Sequence, residues 1–366
     1  MQVDPSLDSG PEVTIQPLQR RPVWPLRAAR GALKLAKIAL AIVVGSAGLG
    51  VVYELVASTL DARQYPPPGE LHDLGGYRLH LNCRGQGSPT VLLEAGLGRD
   101  SLDWSWVQPE LARHTRTCSY DRAGAGWSDP GPLPRDAHNI ASELHSLLVA
   151  AGIRERLVLV GHSAGGSFVQ LYEHLYPASV AGMVLVDVTH RENPLQKPPP
   201  GVMVALAKAL RFTGFLRLFG LLDGKDLPAE FQAAENTLVY RPHLISTLVA
   251  ENEAVVATSR QVRDIGVAGS LGDLPLVILT AAGPFEQQPR PPGMTLEEAH
   301  LDLDLRHRLQ REMLGLSSRS YQVMAEHSGH QIHKDQPELV IEVITDLLGQ
   351  LRPLTELQTV TGTTDP

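Results

Sequence analysis

Cysteine is scarce in this 366-residue chain: there are two, Cys83 and Cys118, far apart and outside any C-x-x-C pattern. That excludes a disulfide-rich scaffold and a cysteine-built zinc site, while leaving room for one bridge. A surplus of positive charge is missing too. The chain has 32 basic and 40 acidic side chains, a formal charge of -8, and no long basic stripe in its main body. This balance argues against nucleic acid as a partner. No internal repeat is visible. What remains is ordinary globular composition, 43% apolar and 20% charged, with length enough for one large core or two modest ones.

Charge is absent altogether from Ile38 to Tyr53 (IALAIVVGSAGLGVVY), and after Glu54 the apolar run continues with LVASTL. Upstream, from Arg20 to Lys37, every charge is positive: Arg20, Arg21, Arg27, Arg30, Lys34 and Lys37. A membrane-spanning helix needs about 20 mostly apolar residues, and cations gather on its cytoplasmic side. The pattern therefore predicts a signal-anchor helix over 36–60, with a cytoplasmic N-terminus and an exported body. Residues 1–35, rich in proline and polar groups, read as a disordered basic segment. One alternative is a cleaved signal peptide with Val56-Ala57-Ser58 as its small-residue site, which would leave a secreted protein. Another is a soluble amphipathic helix, but Gly45, Gly48 and Gly50 destabilise soluble helices and are common in membrane ones.

Tyr65-Pro66-Pro67-Pro68-Gly69 is a stiff linker, and beyond it strands and helices alternate. YRLHLNC (77–83) has period two. TVLLEAG (90–96), RTCSYD (116–121), RLVLVGHS (156–163), GMVLVD (182–187) and LPLVILTA (274–281) are short apolar runs ending in small or polar residues. Continuous apolar strands suit a parallel sheet covered on both faces by helices such as 138–152, so the fold class is α/β, doubly wound. The alternation breaks after Asp187. The next eighty or so residues are largely helical and apolar by pattern (202–222, 229–240, 243–262), a cap over about 189–272 rather than a second domain. The tail, 351–366, is polar and reads as flexible.

The segment RLVLVGHSAGGSF (156–168) runs from a strand through Gly161-His162-Ser163-Ala164-Gly165 into a helix. A G-x-S-x-G turn in that context is a nucleophile elbow. Small neighbours leave room for a strained serine, and the helix that follows favours developing negative charge. Further along, YDRAGAGWSD (120–129), EHLYPASVAGMVLVD (173–187) and SGHQIHKDQPELV (328–340) follow in order. With the elbow, these segments resemble the α/β-hydrolase superfamily over residues ~70–350, which implies the α/β-hydrolase fold over 66–350, with the helical cap inserted after strand six.

The resemblance implies a serine hydrolase. Ser163 would be the nucleophile and His330, in the loop after the run SYQVMA (320–325), its general base. His333 in the same loop lies one turn too late. A metal site at His327, His330 and His333 lacks carboxylate or cysteine partners. Most relatives place the acid after strand seven, where this chain offers only Glu286. Asp187, at the end of strand six, is the favoured acid, and Glu286 is the alternative. Backbone N–H groups of Leu97, in the loop EAGLG (94–98), and of Ala164 would form the oxyanion hole. Asp121 and Arg122 read as loop-holding residues. Trp104 and Trp106 read as packing against the sheet, and Trp127 lies near the site mouth. Strands two and four are antiparallel neighbours in this fold, so an exported body permits a Cys83–Cys118 bridge. No metal or organic cofactor is implied. The expected substrate is a small-molecule ester or lipid-like acyl compound, with the membrane as partner through the N-terminal helix. Prolyl aminopeptidase, C–C hydrolase and haloperoxidase chemistry use the same parts, and a non-catalytic binding module is the rival of another class.

Overall fold

A computed structural model describes residues 26–188, 201–222, 224, 227–285 and 294–351. The chain divides into two units, 1–49 and 50–366. The described part of the first is helical and belongs to helix α1 (Leu26–Gln64), which is longer at both ends than the expected 36–60. Leucine, alanine, arginine and lysine on its N-terminal side are good helix formers, so nothing stops the helix at Lys37. The large apolar side chains from Leu33 to Leu49 are exposed. The stretch Arg30–Gln64 is long and apolar enough to cross a membrane, a test that a signal sequence near an N-terminus also passes.

The larger unit is built on an eight-stranded sheet in the order β1-β2-β4-β3-β5-β6-β7-β8. Its strands are β1 (Glu70–Asp73), β2 (Arg78–Arg84), β3 (Thr90–Glu94), β4 (Thr117–Tyr120), β5 (Leu157–His162), β6 (Val180–Val186), β7 (Leu276–Ala281) and β8 (Ser320–Ala325). The β1–β2 and β2–β4 pairings are antiparallel and all others are parallel. β1 (ELHD) carries too little apolar pattern to be expected from sequence and is held by pairing with β2.

Period two explains the unbroken apolar strands. Leu92, Leu157, Leu159, Met183, Leu185 and Ile278 face one core, with helices α3 (Ala137–Ala150) and α4 (Gly165–Leu175). Val91, Leu93, Val158, Val160, Val184 and Leu279 face the other. There they meet Trp104 and helices α2 (Gln108–Leu111) and α12 (Pro337–Leu351). Each strand thus supplies both faces in alternation.

Between β6 and β7 lie α5 (Gly201–Phe212), α6 (Phe215–Leu218), α7 (Ala229–Leu238), α8 (Leu244–Glu253) and α9 (Val255–Ile265). Residues 189–200 of the expected cap, and the tail beyond 351, fall outside the described residues. α9 belongs to the body's helical layer: it packs on α3 and α4, and its Thr258 Oγ1 and Gln261 Oε1 accept the N–H groups of Ala137 and His138, 3.1 Å each, at the start of α3. A helix N-terminus has orphan donors, and here a neighbouring helix satisfies two of them. The chain closes with α10 (Leu296–Glu312), α11 (Ile332–Asp335) and α12.

Cys83 and Cys118 are paired residues of β2 and β4 and form a disulfide that closes a loop of 35 residues. Replacing both with alanine is expected to lower stability by about 2–4 kcal/mol through the freer unfolded chain. Urea denaturation reads it, and an unchanged midpoint would remove the bond from the stability of the body.

Candidate active site

β5 delivers Gly161 and His162 to a turn that ends at α4, with Ser163 at its tip. A Cβ on Gly161 would lie 2.7 Å from Gly166 Cα, and one on Gly165 would lie 2.6 Å from the Ala95 carbonyl oxygen. Neither position accepts a larger residue without moving backbone. The second contact also places the loop after β3 directly against the turn. Among the described residues, two that are not glycine have positive φ: Ser163 at 52° and Asp187 at 42°. Such backbone is held only where its surroundings over-determine it, and it clusters at functional sites.

These two strained residues meet one histidine. His330 Nε2 is 2.9 Å from Ser163 Oγ, and His330 Nδ1 is 2.6 Å from Asp187 Oδ2. Asp187 is buried, and burial alone would raise its pKa. The hydrogen bond and charge of His330, helped by Gln310 and Arg306, outweigh that and hold it at about 2. An ionised Asp187 accepts from Nδ1–H, which leaves Nε2 to accept the serine hydroxyl proton. The other carboxylate oxygen, Oδ1, accepts Gln310 Nε2–H at 2.9 Å and the Ala281 N–H at 3.2 Å. Glu286 lies outside the described residues.

Leu97 follows Gly96, which packs against Ser163, and Ala164 follows Ser163 itself. No described residue accepts a hydrogen bond from either backbone N–H, as a pair of donors kept for an oxyanion requires. The β3 loop is held by Arg122, whose guanidinium is almost completely buried. It donates to the carbonyls of Ala95 and Gly96 at 2.8 Å each. It also pairs with Glu94 at 2.6 Å and with Glu251 of α8 at 2.8 Å. Glu251 Oε2 accepts the N–H of Gly98, 3.0 Å away. Desolvation would lower the Arg122 pKa, but the two glutamates raise it, so the cation is permanent. Burial likewise pushes Glu251 up and is overcome by Arg122, which leaves it low and ionised. Asp121 ties strand to loop by accepting from Ser101 N–H (2.7 Å) and Trp127 N–H (2.8 Å) and pairing with His80 at 2.8 Å.

Behind His330 sits a second buried cluster. His162 Nε2 donates to the carbonyl oxygen of His330 at 2.9 Å. His333 Nε2 lies 3.1 Å and Lys334 Nζ 2.6 Å from the carboxylate of Asp103. Burial, then the neighbouring His333 and His330, push the His162 pKa well down, so its ring is neutral. Asp103, His162 and His333 bring ligand-type atoms within 4.8 Å of one another. The ammonium of Lys334 already neutralises that carboxylate, so the donor set fits an internal ion pair better than a cation site. His333 thus supports the loop from behind, and His327 stands apart from this cluster, its N–H donating to Gln336 at 3.0 Å.

Trp104 is fully buried and packs on His333, whereas Trp106 is exposed. Trp127 is buried with Leu102 and Leu238 and donates through its indole N–H to the carbonyl of Tyr65 at 2.9 Å. A cavity of about 730 Å³ opens elsewhere, lined by residues such as His72, Arg116 and Glu155, and it contains none of the Ser163 group. Gln310, Glu251 and His162 carried no sequence signal of their role: each is defined by a contact more than a hundred residues away.

A family model described as alpha/beta hydrolase fold matches residues 89–263. The uncharacterized protein YqjL of Bacillus subtilis is 25% identical over 283 residues, covering 75% of this chain and 90% of that protein. A probable transporter, efuK, of Hormonema carpetanum is 34% identical over 140 residues, 35% of this chain, and the match spans a fifth (20%) of the transporter's length. Among solved structures, a thermophilic esterase from Thermogutta terrifontis superposes with a TM-score of 0.54 at 19% identity, covering 77% of this chain and 98% of the esterase. At that identity the likeness speaks for the fold alone.

Removing Glu251 leaves a buried guanidinium one partner short. Glu251→Ala is expected to destabilise the protein by about 3–5 kcal/mol, and Glu251→Gln, which keeps an acceptor, by less. Thermal and urea denaturation of both variants measure this. Equal, small losses would mean that Arg122 is balanced by Glu94 alone.

Proposed function

This chain is a member of the α/β-hydrolase superfamily, and from that premise we propose that it is a serine hydrolase cleaving an ester or related acyl bond through an acyl-enzyme on Ser163. The observation that carries the reading is the unbroken line of hydrogen bonds from Ser163 Oγ to His330 and on to Asp187. Ser163 Oγ attacks the acyl carbonyl while His330 Nε2 takes its proton. Asp187 fixes the tautomer and stabilises the imidazolium, and the N–H groups of Leu97 and Ala164 bind the tetrahedral oxyanion. His330 returns the proton to the leaving group. The same imidazole then activates water, which attacks the acyl-enzyme and releases the acid. A serine at the elbow opposes the aspartate-nucleophile chemistry of dehalogenases and Asp-type epoxide hydrolases.

The proposed setting is an exported body on a retained N-terminal anchor. Two observations support it: the cations that precede the apolar helix and the disulfide, which suits an oxidising compartment. The apolar cap and the tether make a lipid-like ester the favoured substrate class.

A p-nitrophenyl ester series from acetate to palmitate, with a fluorophosphonate probe alongside, tests the chemistry. Ser163→Ala is expected to abolish both turnover and labelling, and Asp187→Asn to lower kcat by roughly 10⁴ while Glu286→Gln leaves it near wild type. Loss of activity in Glu286→Gln with Asp187→Asn intact would move the acid to Glu286. A folded wild type that neither labels nor turns over any ester would leave the binding-module reading.

The pH dependence follows from the same geometry. Activity requires the neutral imidazole and the ionised carboxylate, so it is present at high pH and lost as pH falls. With Asp187 held at about 2, the carboxylate stays ionised above about pH 4 and adds no second proton to the acid limb, so log kcat/KM is expected to fall there with no more than unit slope. A slope of two there would put the carboxylate's titration in the working range and sink the assignment.

A further inference from the structure

The stretch Gly201–Leu222 contains no acidic residue, and its charged side chains are Lys208, Arg211 and Arg217. Both arginines turn inward: their side chains are only 6% and 11% exposed. Arg211 pairs with Glu54 at 2.9 Å, and Arg217 pairs with Glu54 at 3.0 Å and with Asp61 at 2.5 Å. Glu54 and Asp61 belong to the C-terminal part of α1. What α5, α6 and the turn after them present outward is apolar: Val202, Met203, Leu206, Phe212, Phe215, Leu218, Phe219 and Leu221 are all exposed, Leu218 to 66%. Beyond α1, large exposed apolar side chains elsewhere in the body are more scattered; here they gather in one short stretch of chain, and a patch of that kind marks a surface that meets something apolar.

The ion pairs say what that is. Glu54 is the first charged residue after the uncharged stretch Ile38–Tyr53. The residue that neutralises Arg211 and Arg217 is therefore the one at which α1 would leave the hydrocarbon. On α1 itself, Val52, Leu55 and Val56 beside Glu54 are exposed as well. Burying two guanidiniums against carboxylates removes the groups that would otherwise keep this face in water. Lys208, exposed on α5, suits the anionic headgroup level.

We propose that α5 and α6 form a membrane-docking surface, lying with their apolar face in the outer interfacial layer of the bilayer that α1 enters. The proposal rests on the reading of α1 as a retained anchor. It would hold the cap on the lipid, so that an apolar acyl substrate passes from bilayer to cap without crossing water.

The test uses the full chain in phosphatidylcholine–phosphatidylglycerol vesicles, with one nitroxide at a time on Val43→Cys, Leu218→Cys or Val149→Cys. All three sites are exposed, and Val149 on α3 serves as the aqueous reference. Collision with oxygen should exceed collision with a water-soluble nickel chelate at positions 43 and 218, and the order should reverse at 149. Position 218 behaving like 149 while 43 is lipid-embedded overturns the docking surface and leaves the anchor standing. Position 43 in water removes the anchor and the proposal with it. Shielding of 218 from both reagents, with spin–spin broadening, would place a second copy on the face instead of lipid and overturn the proposal equally. None of these readouts depends on hydrolysis.

Discussion

The guanidinium of Arg122 is the interaction on which the candidate site depends. It is buried, permanently charged and shared by three pieces of chain: Glu94 at the end of β3, the carbonyls of Ala95 and Gly96 in the following loop, and Glu251 in α8. A charge placed there is tolerable only while each of its donors has an acceptor. That requirement fixes the β3 loop in one conformation, with Gly96 against Ser163. The N–H of Gly98, donated to the same Glu251, closes the circuit. α8 is consequently part of the site's frame. Shifting α8 would strand the cation.

A comparable logic surrounds Asp187. Ala281, ending β7, and Gln310, on the helix that follows, both donate to its Oδ1. Asp187 ends the neighbouring strand β6 and is carried in strained backbone. Its carboxylate lies 2.6 Å from His330, and β7, adjacent and in register, supplies a backbone donor to it from its end.

Much of this was legible in the amino-acid order, where the signal is local. The elbow declares itself within a few residues, because the glycines that Ser163 needs are its chain neighbours. The strands 90–94, 157–162 and 276–281 declare themselves by composition, since both faces are buried. β1 does not, because its stability lies in pairing with β2 rather than in its own side chains. Nor could α9 be told from cap helices: amphipathic periodicity says that a face is buried, not against which layer. Glu251 and Gln310 are the extreme case. Each reads as an ordinary polar residue on a helix, and its role exists only after folding sets it against a group 129 or 123 residues away.

The buried charges share a placement that bears on why they are there. Arg122–Glu251 joins β4's loop to α8, Arg211–Glu54 and Arg217–Asp61 join α5 and α6 to the end of α1, and His333–Asp103 joins the histidine loop to the segment after β3. In each case the partners come from separate elements of the chain. Apolar packing of equal volume would give similar or greater stability, because desolvating two ions offsets most of their attraction. It would also tolerate sliding, since apolar contacts are not directional. A guanidinium held between carboxylates tolerates very little, because a displaced buried cation keeps its desolvation penalty and loses its partners. Two of these joints fix the loop after β3 and the loop that carries His330, beside Ser163, where that intolerance is useful. The interior of the sheet, where only volume matters, is left to leucine, valine and isoleucine.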